Sequence, residues 1–397
     1  MPNIFLTNLR FKRIDETILM IKIGIVGLGR IGKVHLHNIQ HHIVEAQVVA
    51  ACSRSEQSLD YAKQFGVEKL FTSYEKMLSE GGIDAVVVAS PTALHFEHLK
   101  LAIAAQKHIF CEKPIDLSIE NILEIKRHIS AIQIKFMLGF NRRFDTNILK
   151  IKKELKDGRL GRTQSVKLIS RDPGPPPMEF IKTSGGLFLD MAIHDFDLAR
   201  HLMGSEVTQV FTTAGIFGQL PLETVGDVDT AVSVLKFEDN SFATIENSRN
   251  SSYGYDQRVE VFGDKGLVSS QNKSDDTVSF ADQKGFLHPK PMKFFIERYK
   301  ESYLNILNSF VQCLVNDTVP ELSFEDGLRS MAISLAAKKS SEENSVVDKN
   351  LKINNTKNVY VCGSSVFPIN GITNPTWTIM TLSNRLAKYL SEYWHNK

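Results

Sequence analysis

The chain has few cysteines and no long apolar run. Its four cysteines, Cys52, Cys111, Cys313 and Cys362, stand apart and form no CxxC pair or Cys/His cluster. That scatter excludes a zinc-ribbon pattern, leaves no metal to expect, and points to a reducing compartment, the cytoplasm. No stretch approaches the ~18 consecutive apolar residues of a membrane span; the dense run AVVVA at 85–89 is strand-sized. Charge of one sign is also missing. Lys and Arg total 47 against 45 Asp and Glu, a net charge of +2. So small a balance gives no reason to expect nucleic acid or an anionic membrane as partner. The first twenty residues mix Arg10, Lys12 and Arg13 with Asp15 and Glu16 and lack an apolar h-region, so no secretory signal is expected. What remains is a globular composition, 42% hydrophobic and 23% charged over 397 residues, enough for two to three domains.

Residues 21–140 alternate strand and helix patterns. IKIGIV (21–26), VEAQVVAAC (44–52), DAVVVAS (84–90), HIFCEKP (108–114) and IKFMLGF (134–140) read as strands. The helix patterns between them include IGKVHLHNIQ, SEQSLDYAKQF with Ser55 as N-cap, HFEHLKLAIAAQ and SIENILEIKRHIS. Such alternation predicts βαβ units and a doubly wound parallel sheet, the Rossmann architecture, over 20–140. After Arg143 the pattern changes. A basic helix at 145–158 leads into successive strands over 163–270, interrupted by one helix at 185–204 and followed by helices at 294–316 and 325–341. The fold class is therefore α/β, with a second, α+β domain over 141–352 built on an open, mostly antiparallel sheet. Residues 1–19 and 353–397 are left over as extensions.

Gly27-Leu28-Gly29-Arg30-Ile31-Gly32 is a GxGxxG directly after a strand and at a helix start. The first glycine permits the tight turn, the second admits a pyrophosphate to the helix N-terminus, and the third lets helix and strand pack closely. Dinucleotide binding follows, with Arg30 and Ile31 inside the motif. Pro91 and Thr92 after the buried strand and Glu112-Lys113 after the next are further expected contacts. The ribose-reading position about 20 residues on is Ser53-Arg54. It holds no carboxylate for a 2′-hydroxyl, whereas both side chains can donate to a 2′-phosphate, a pattern that leans toward NADP over NAD.

Two constellations carry chemistry. Glu112-Lys113-Pro114 lies at the carboxyl end of a parallel strand, where α/β sheets bind ligands. A lysine there can hydrogen-bond a substrate hydroxyl and favour its alkoxide; the alternative is a surface turn lysine. Asp190 and His194 are spaced i, i+4 on the helix after Gly185-Gly186, which puts both on one face of an α-helix. A carboxylate there can orient an imidazole and stabilise its protonated form. A local helix ion pair and a pair of metal ligands are the alternatives, and no further Cys, His or acid completes a metal shell. Asp195, Asp197 and His201 read as polar surface or packing.

Together these stretches resemble the Gfo/Idh/MocA oxidoreductases, and among them the bacterial inositol 2-dehydrogenases. The likeness covers about 20–352, through GIVGLGRIGKVH, FCEKPIDLS, GFNRRFD, SRDP, SGGLFLDMAIHDFDLARHLMG and YGYDQRVEVFGDKG. It implies oxidation of an axial secondary alcohol of a cyclic polyol, myo-inositol to 2-keto-myo-inositol first, with hydride passing to a nicotinamide. It implies Lys113, Asp190 and His194 as the catalytic set. His194 would be the base, Asp190 would orient it, and Lys113 would polarise the reacting oxygen. Asn141, Arg142, Asp172, Tyr255 and Tyr303 match substrate-side positions. A homotetramer is implied as well. Other sugar or cyclitol dehydrogenases, and non-catalytic sensors that bind cofactor and sugar, are the competing readings.

The chain departs from that pattern twice. The family usually has an aspartate where Ser53 stands. Residues 356–397 resemble instead the last segment of glucose–methanol–choline flavin oxidoreductases, through SSVFP and NPTWTIM, with Asn374 at that family's second active-site position. The flavin-binding glycine motif that such a segment needs is missing, so no FAD is expected.

Overall fold

The computed structural model describes residues 20–348. The expectations for 1–19 and for the tail, Asn374 included, lie outside those residues. The N-terminal half runs β1 (Ile21–Val26), α1 (Arg30–His42), β2 (Ala46–Cys52), α2 (Glu56–Gln64), β3 (Lys69–Phe71), α3 (Tyr74–Glu80), β4 (Ala85–Val88), α4 (His95–Ala104), β5 (His108–Cys111), α5 (Ile119–Ser130) and β6 (Phe136–Leu138). Its six strands lie in the order β3-β2-β1-β4-β5-β6, all parallel. The β-branched run of β4 is fully buried, as a central strand covered on both faces must be. Ser55, Ser73 and Ser118 each cap the helix that follows, accepting from a backbone amide of its first turn. β3 and α3 escape the sequence reading because an edge strand of three residues carries no periodic pattern.

The C-terminal half runs α6 (Thr146–Lys156), β7 (Thr163–Arg171), α7 (Met178–Ser184), α8 (Ile193–Met203), β8 (Val207–Gly215), β9 (Thr230–Phe237), β10 (Phe242–Ser248), β11 (Asp256–Gly263), β12 (Gly266–Ser270), β13 (Phe280–Asp282), β14 (Gly285–Leu287), α9 (Phe295–Arg298), α10 (Lys300–Val315), α11 (Phe324–Glu343) and β15 (Val347–Asp348). Seven strands order as β12-β11-β7-β10-β9-β8-β15. Pairing is antiparallel except for β10 on β7. Helices α8 and α11 pack on one face of this sheet. The other face carries Phe211, Val232, Val234, Phe242, Phe262 and Leu267, all exposed.

Two helices differ from expectation. The stretch 294–316 divides at Tyr299 into α9 and α10. The stretch 185–204 is not one α-helix. Gly185 and Gly186 both take positive φ, +86° and +75°. A π-helical turn, Leu187–Ala192, follows before α8 begins. Asp227 holds the start of this turn: its Oδ1 accepts from the Leu187 amide at 2.8 Å. A Cβ on Gly186 would lie 2.4 Å from that same oxygen, so only glycine lets the carboxylate in.

Candidate active site

Strand order reverses between β1 and β4, and the glycine motif lies at that switch point. Its glycines do three different jobs. Gly27 sits at φ +90°, and a Cβ there would come within 2.4 Å of the Ser90 amide nitrogen. A Cβ on Gly32 would come within 1.9 Å of the Gly27 carbonyl oxygen. A Cβ on Gly29 would meet nothing within 4 Å. Gly29 is also the N-cap of α1, with no side chain to satisfy the first amides. The turn is thus closed where backbone meets backbone and open where a pyrophosphate would approach, so these residues fit a dinucleotide.

The flanking positions are more varied. Arg30 lies against the rings of Phe294 and Phe295, 6.0 and 5.7 Å from their centroids. Ile31 packs on the tyrosine cluster described below. At the end of β2, Ser53 Oγ accepts from the Ser55 amide at 3.1 Å. Arg54 is exposed, with no ion pair among the described residues. Pro91 and Thr92 lie just beyond β4, where Thr92 opens a short 3₁₀ turn. Glu112 follows β5 and is tied to α1: its Oε1 lies 2.7 Å from Nε2 of the buried His35.

Lys113 is next, joined to Pro114 by a cis peptide bond. Its Nζ donates to the Asp190 carbonyl at 2.8 Å and to Asp190 Oδ1 at 3.0 Å. This corrects the expected Asp190–His194 pairing. In the π-helical turn the side chain of Asp190 meets Lys113, and no hydrogen bond joins it to His194 among the described residues. The i, i+4 arithmetic assumed α-helical geometry, which begins only at Ile193. His194 Nδ1 is buried without a hydrogen-bond partner, and its ring meets Phe140 edge-on, centroids 5.9 Å apart. Burial first, then the positive charges of Lys113 and Arg142, hold His194 well below the usual imidazole range. The ring is neutral near pH 7.

The substrate-side candidates divide into two kinds. Arg142 is buried and donates to Asp195 Oδ1 at 2.6 Å and to Ser170 Oγ at 2.9 Å. Asn141 donates to Ser302 Oγ at 2.9 Å. Tyr255 and Tyr303 are buried with Tyr299 against Ile31 and Val34 of α1. These four are engaged in the interior. Asp172 is different: it is partly exposed, and its carboxyl makes no hydrogen bond or ion pair among the described residues. Burial pushes it up to about 7, against the pull of Arg142 and Arg249, with Asp190 and Asp195 adding to the rise. Of the two readings for Asp195 and Asp197, exposed polar residues or packing, the structure gives the interior one: both are buried counter-ions. Asp197 accepts from Arg143 through both oxygens, at 2.8 and 2.6 Å, and Asp326 joins the same guanidinium at 2.8 Å.

Sequence reasoning passed over Arg249 and Asp227. Arg249 is only 1% exposed. Its Nη1 lies 3.0 Å from Asp227 Oδ2 and its Nη2 3.6 Å from Asp190 Oδ2. The single local signal was the Gly185-Gly186 pair, which makes room for the Asp227 carboxylate. Among the described residues, no three His, Cys, Asp or Glu side chains are grouped to hold a metal ion. No described helix is long and apolar enough to cross a membrane.

Comparison with known proteins gives two matches that cover most of the chain. Residues 21–140 match the Gfo/Idh/MocA oxidoreductase family, NAD-binding Rossmann fold, and residues 152–348 match the C-terminal alpha/beta domain of the same family. Residues 335–383 match the GMC oxidoreductase C-terminal model, beginning inside α11. A myo-inositol 2-dehydrogenase of Thermotoga maritima is 39% identical over 324 residues, 81% of this chain and 96% of that protein. An inositol 2-dehydrogenase of Rhizobium meliloti is 37% identical, over 81% of this chain and 97% of its own. The solved structure of scyllo-inositol dehydrogenase from Lactobacillus casei, with bound NAD(H) and scyllo-inositol, superposes with a TM-score of 0.78 at 35% identity, covering 83% of this chain and 99% of that one.

Proposed function

Since the chain belongs to the Gfo/Idh/MocA oxidoreductase family, we propose that it oxidises a ring hydroxyl of an inositol to the ketone, myo-inositol to 2-keto-myo-inositol first. One observation carries the reading. Lys113 is fixed on Asp190 by two hydrogen bonds from its ammonium, at the carboxyl end of the parallel sheet.

A bound nicotinamide supplies the acceptor for the hydride leaving the carbinol carbon. The protein's own groups handle the proton and the oxygen. With Nδ1 of His194 enclosed, Nε2 is the ring nitrogen left to take the hydroxyl proton. An ammonium has three N–H donors, and Lys113 spends two on Asp190. The third is free for the reacting oxygen, whose developing negative charge it stabilises. Asp190 keeps Lys113 aimed. Asp172, with no partner of its own, is an acceptor or donor for a further ring hydroxyl. A site of paired polar groups rejects a stereoisomer that leaves one of them unsatisfied.

Finer features belong to the same proposal. Exposed Arg54 beside Ser53, with no carboxylate, supports use of NADP as well as NAD. The exposed apolar sheet face supports a homotetramer. The three cysteines among the described residues, all buried and unpaired, support a cytoplasmic setting. The domain division at 140/141 and the reading of 353–397 as a flavin-oxidoreductase-like extension stand as proposals too. The test is a panel of myo-, scyllo- and chiro-inositol, glucose and xylose, each with NAD and NADP, followed by the absorbance of the reduced nicotinamide. Turnover of an inositol above the two sugars supports the reading; turnover of none of the five overturns it.

A further inference from the structure

Arg249 carries a charge in a place where charge is expensive. Among the described residues it is the largest side chain that is almost fully buried, at 1% exposure. A guanidinium taken out of water must be compensated by nearby anions. Two carboxylates pair with it directly, and they differ; Asp172 adds a weaker attraction from further off. Asp227 Oδ2 is hydrogen-bonded to Nη1 at 3.0 Å. Asp190 Oδ2 faces Nη2 at 3.6 Å, near enough to attract but beyond a hydrogen bond, and Nη2 has no other partner. The opposite oxygen of Asp190 belongs to Lys113. The carboxylate is therefore bracketed by two cations, one on each oxygen.

Asp227 also fixes the backbone that carries Asp190. Its Oδ1 accepts from the amide of Leu187, the first residue of the π-helical turn, through the gap left by Gly186. One side chain thus holds both the turn and the guanidinium that faces Asp190. π-Helical turns recur at functional sites, where the extra residue re-aims a side chain.

We propose that Arg249 and Asp227 are positioning residues for the dehydrogenation. They hold the Asp190 carboxylate so that Lys113 keeps its third N–H directed at the reacting oxygen. Arg249 attracts Oδ2 without displacing Oδ1 from the lysine. Its action falls on charge that develops during reaction, so it belongs in kcat more than in KM. The inference rests on the polyol dehydrogenase reading given above.

The experiment compares wild type, Arg249→Gln, Arg249→Lys and Asp227→Asn as full-length chains. It measures steady-state kinetics on the best inositol of the panel, binding of reduced nicotinamide by its fluorescence, and melting temperature. For Arg249→Gln the expected result is a fall in kcat of about 10–100-fold, with KM and cofactor affinity within about threefold. Arg249→Lys, which restores the charge, recovers part of kcat. In Asp227→Asn the amide still accepts from Leu187 but gives up the anion beside Arg249. It loses about tenfold in kcat at unchanged cofactor affinity. If Arg249→Gln fails to fold, Asp227→Asn decides alone. Unchanged kcat in a folded variant overturns the inference while the functional reading stands. So does a loss matched by lost cofactor binding. A wild type that oxidises no polyol overturns both.

Discussion

Lys113 and Asp190 meet across the two halves of the molecule, joined by two hydrogen bonds of 2.8 and 3.0 Å from one ammonium. The lysine comes from the turn after β5 and the aspartate from the π-helical turn before α8. A salt bridge with both side chains only partly exposed contributes little to stability by itself. It leaves one donor of the lysine uncommitted at the edge of the cofactor crevice.

Removing that donor tests its role. Lys113→Ala is expected to lower kcat by about 10²–10³-fold, the usual effect of losing one donor to a developing oxyanion. Reduced-nicotinamide fluorescence should report cofactor binding close to wild type. A variant that keeps full turnover would remove Lys113 from the chemistry.

In the proposed mechanism the neutral form of His194 is the base, and burial, Lys113 and Arg142 all disfavour the protonated form. A lowered pKa delays protonation to lower pH. In Asp172→Asn, which removes the carboxyl that titrates near 7, the kcat/KM profile should therefore stay level as pH falls through 6.5, the ordinary imidazole value, and drop only below it. His194→Asn should lose activity at every pH. An acid limb centred at or above 6.5 would contradict the assignment.

Much of this site was legible in residues 20–140 because the chemistry there is written locally. The glycine motif, β4 and the Glu112-Lys113-Pro114 turn each announce themselves within seven residues, and the parallel sheet places them without further information. The Asp190–His194 spacing was legible too, but its geometry was not. It depends on Asp227, some forty residues away in sequence, entering the space beside Gly186. Arg142 illustrates the same limit. FNRRF looks like a substrate-facing stretch, yet Asp195 takes the guanidinium into the interior. Arg249 lies one residue past β10 with no local signal at all. Long-range ion pairs of this sort are fixed by topology and leave no periodic trace.

Asp172 predicts a stability effect with a definite sign. Its folded pKa is about 7, above the ordinary 3.8, chiefly through burial. The fold therefore prefers the neutral carboxyl. The stability this supplies is complete below about 4 and is lost as pH rises through about 7. Asp172→Asn, neutral at every pH, should melt several degrees higher than wild type near pH 8, where a few kcal/mol of penalty is relieved. Near pH 4 the two should agree. The same variant should raise KM for the polyol, because the carboxylate is one of the groups offered to a ring hydroxyl. Equal melting temperatures across the range would show that the carboxyl is hydrated in the apo protein.

The glycine motif separates folding from binding at neighbouring positions. A methyl on Gly32 would meet the Gly27 carbonyl oxygen at 1.9 Å, backbone against backbone, with no side chain to move aside. Gly32→Ala should therefore lower the melting temperature of the apo protein, by several degrees for an overpacking penalty of about 1–3 kcal/mol. Gly29 is the opposite case. Its φ of −72° suits any residue, and a Cβ there meets nothing within 4 Å. Gly29→Ala should fold and melt like wild type. Its methyl would instead occupy the space through which a pyrophosphate reaches the first amides of α1. Cofactor affinity, read by fluorescence titration with reduced nicotinamide, should fall at least tenfold, about 1.4 kcal/mol. Undiminished affinity in Gly29→Ala would mean that the phosphates bind elsewhere than at the N-terminus of α1.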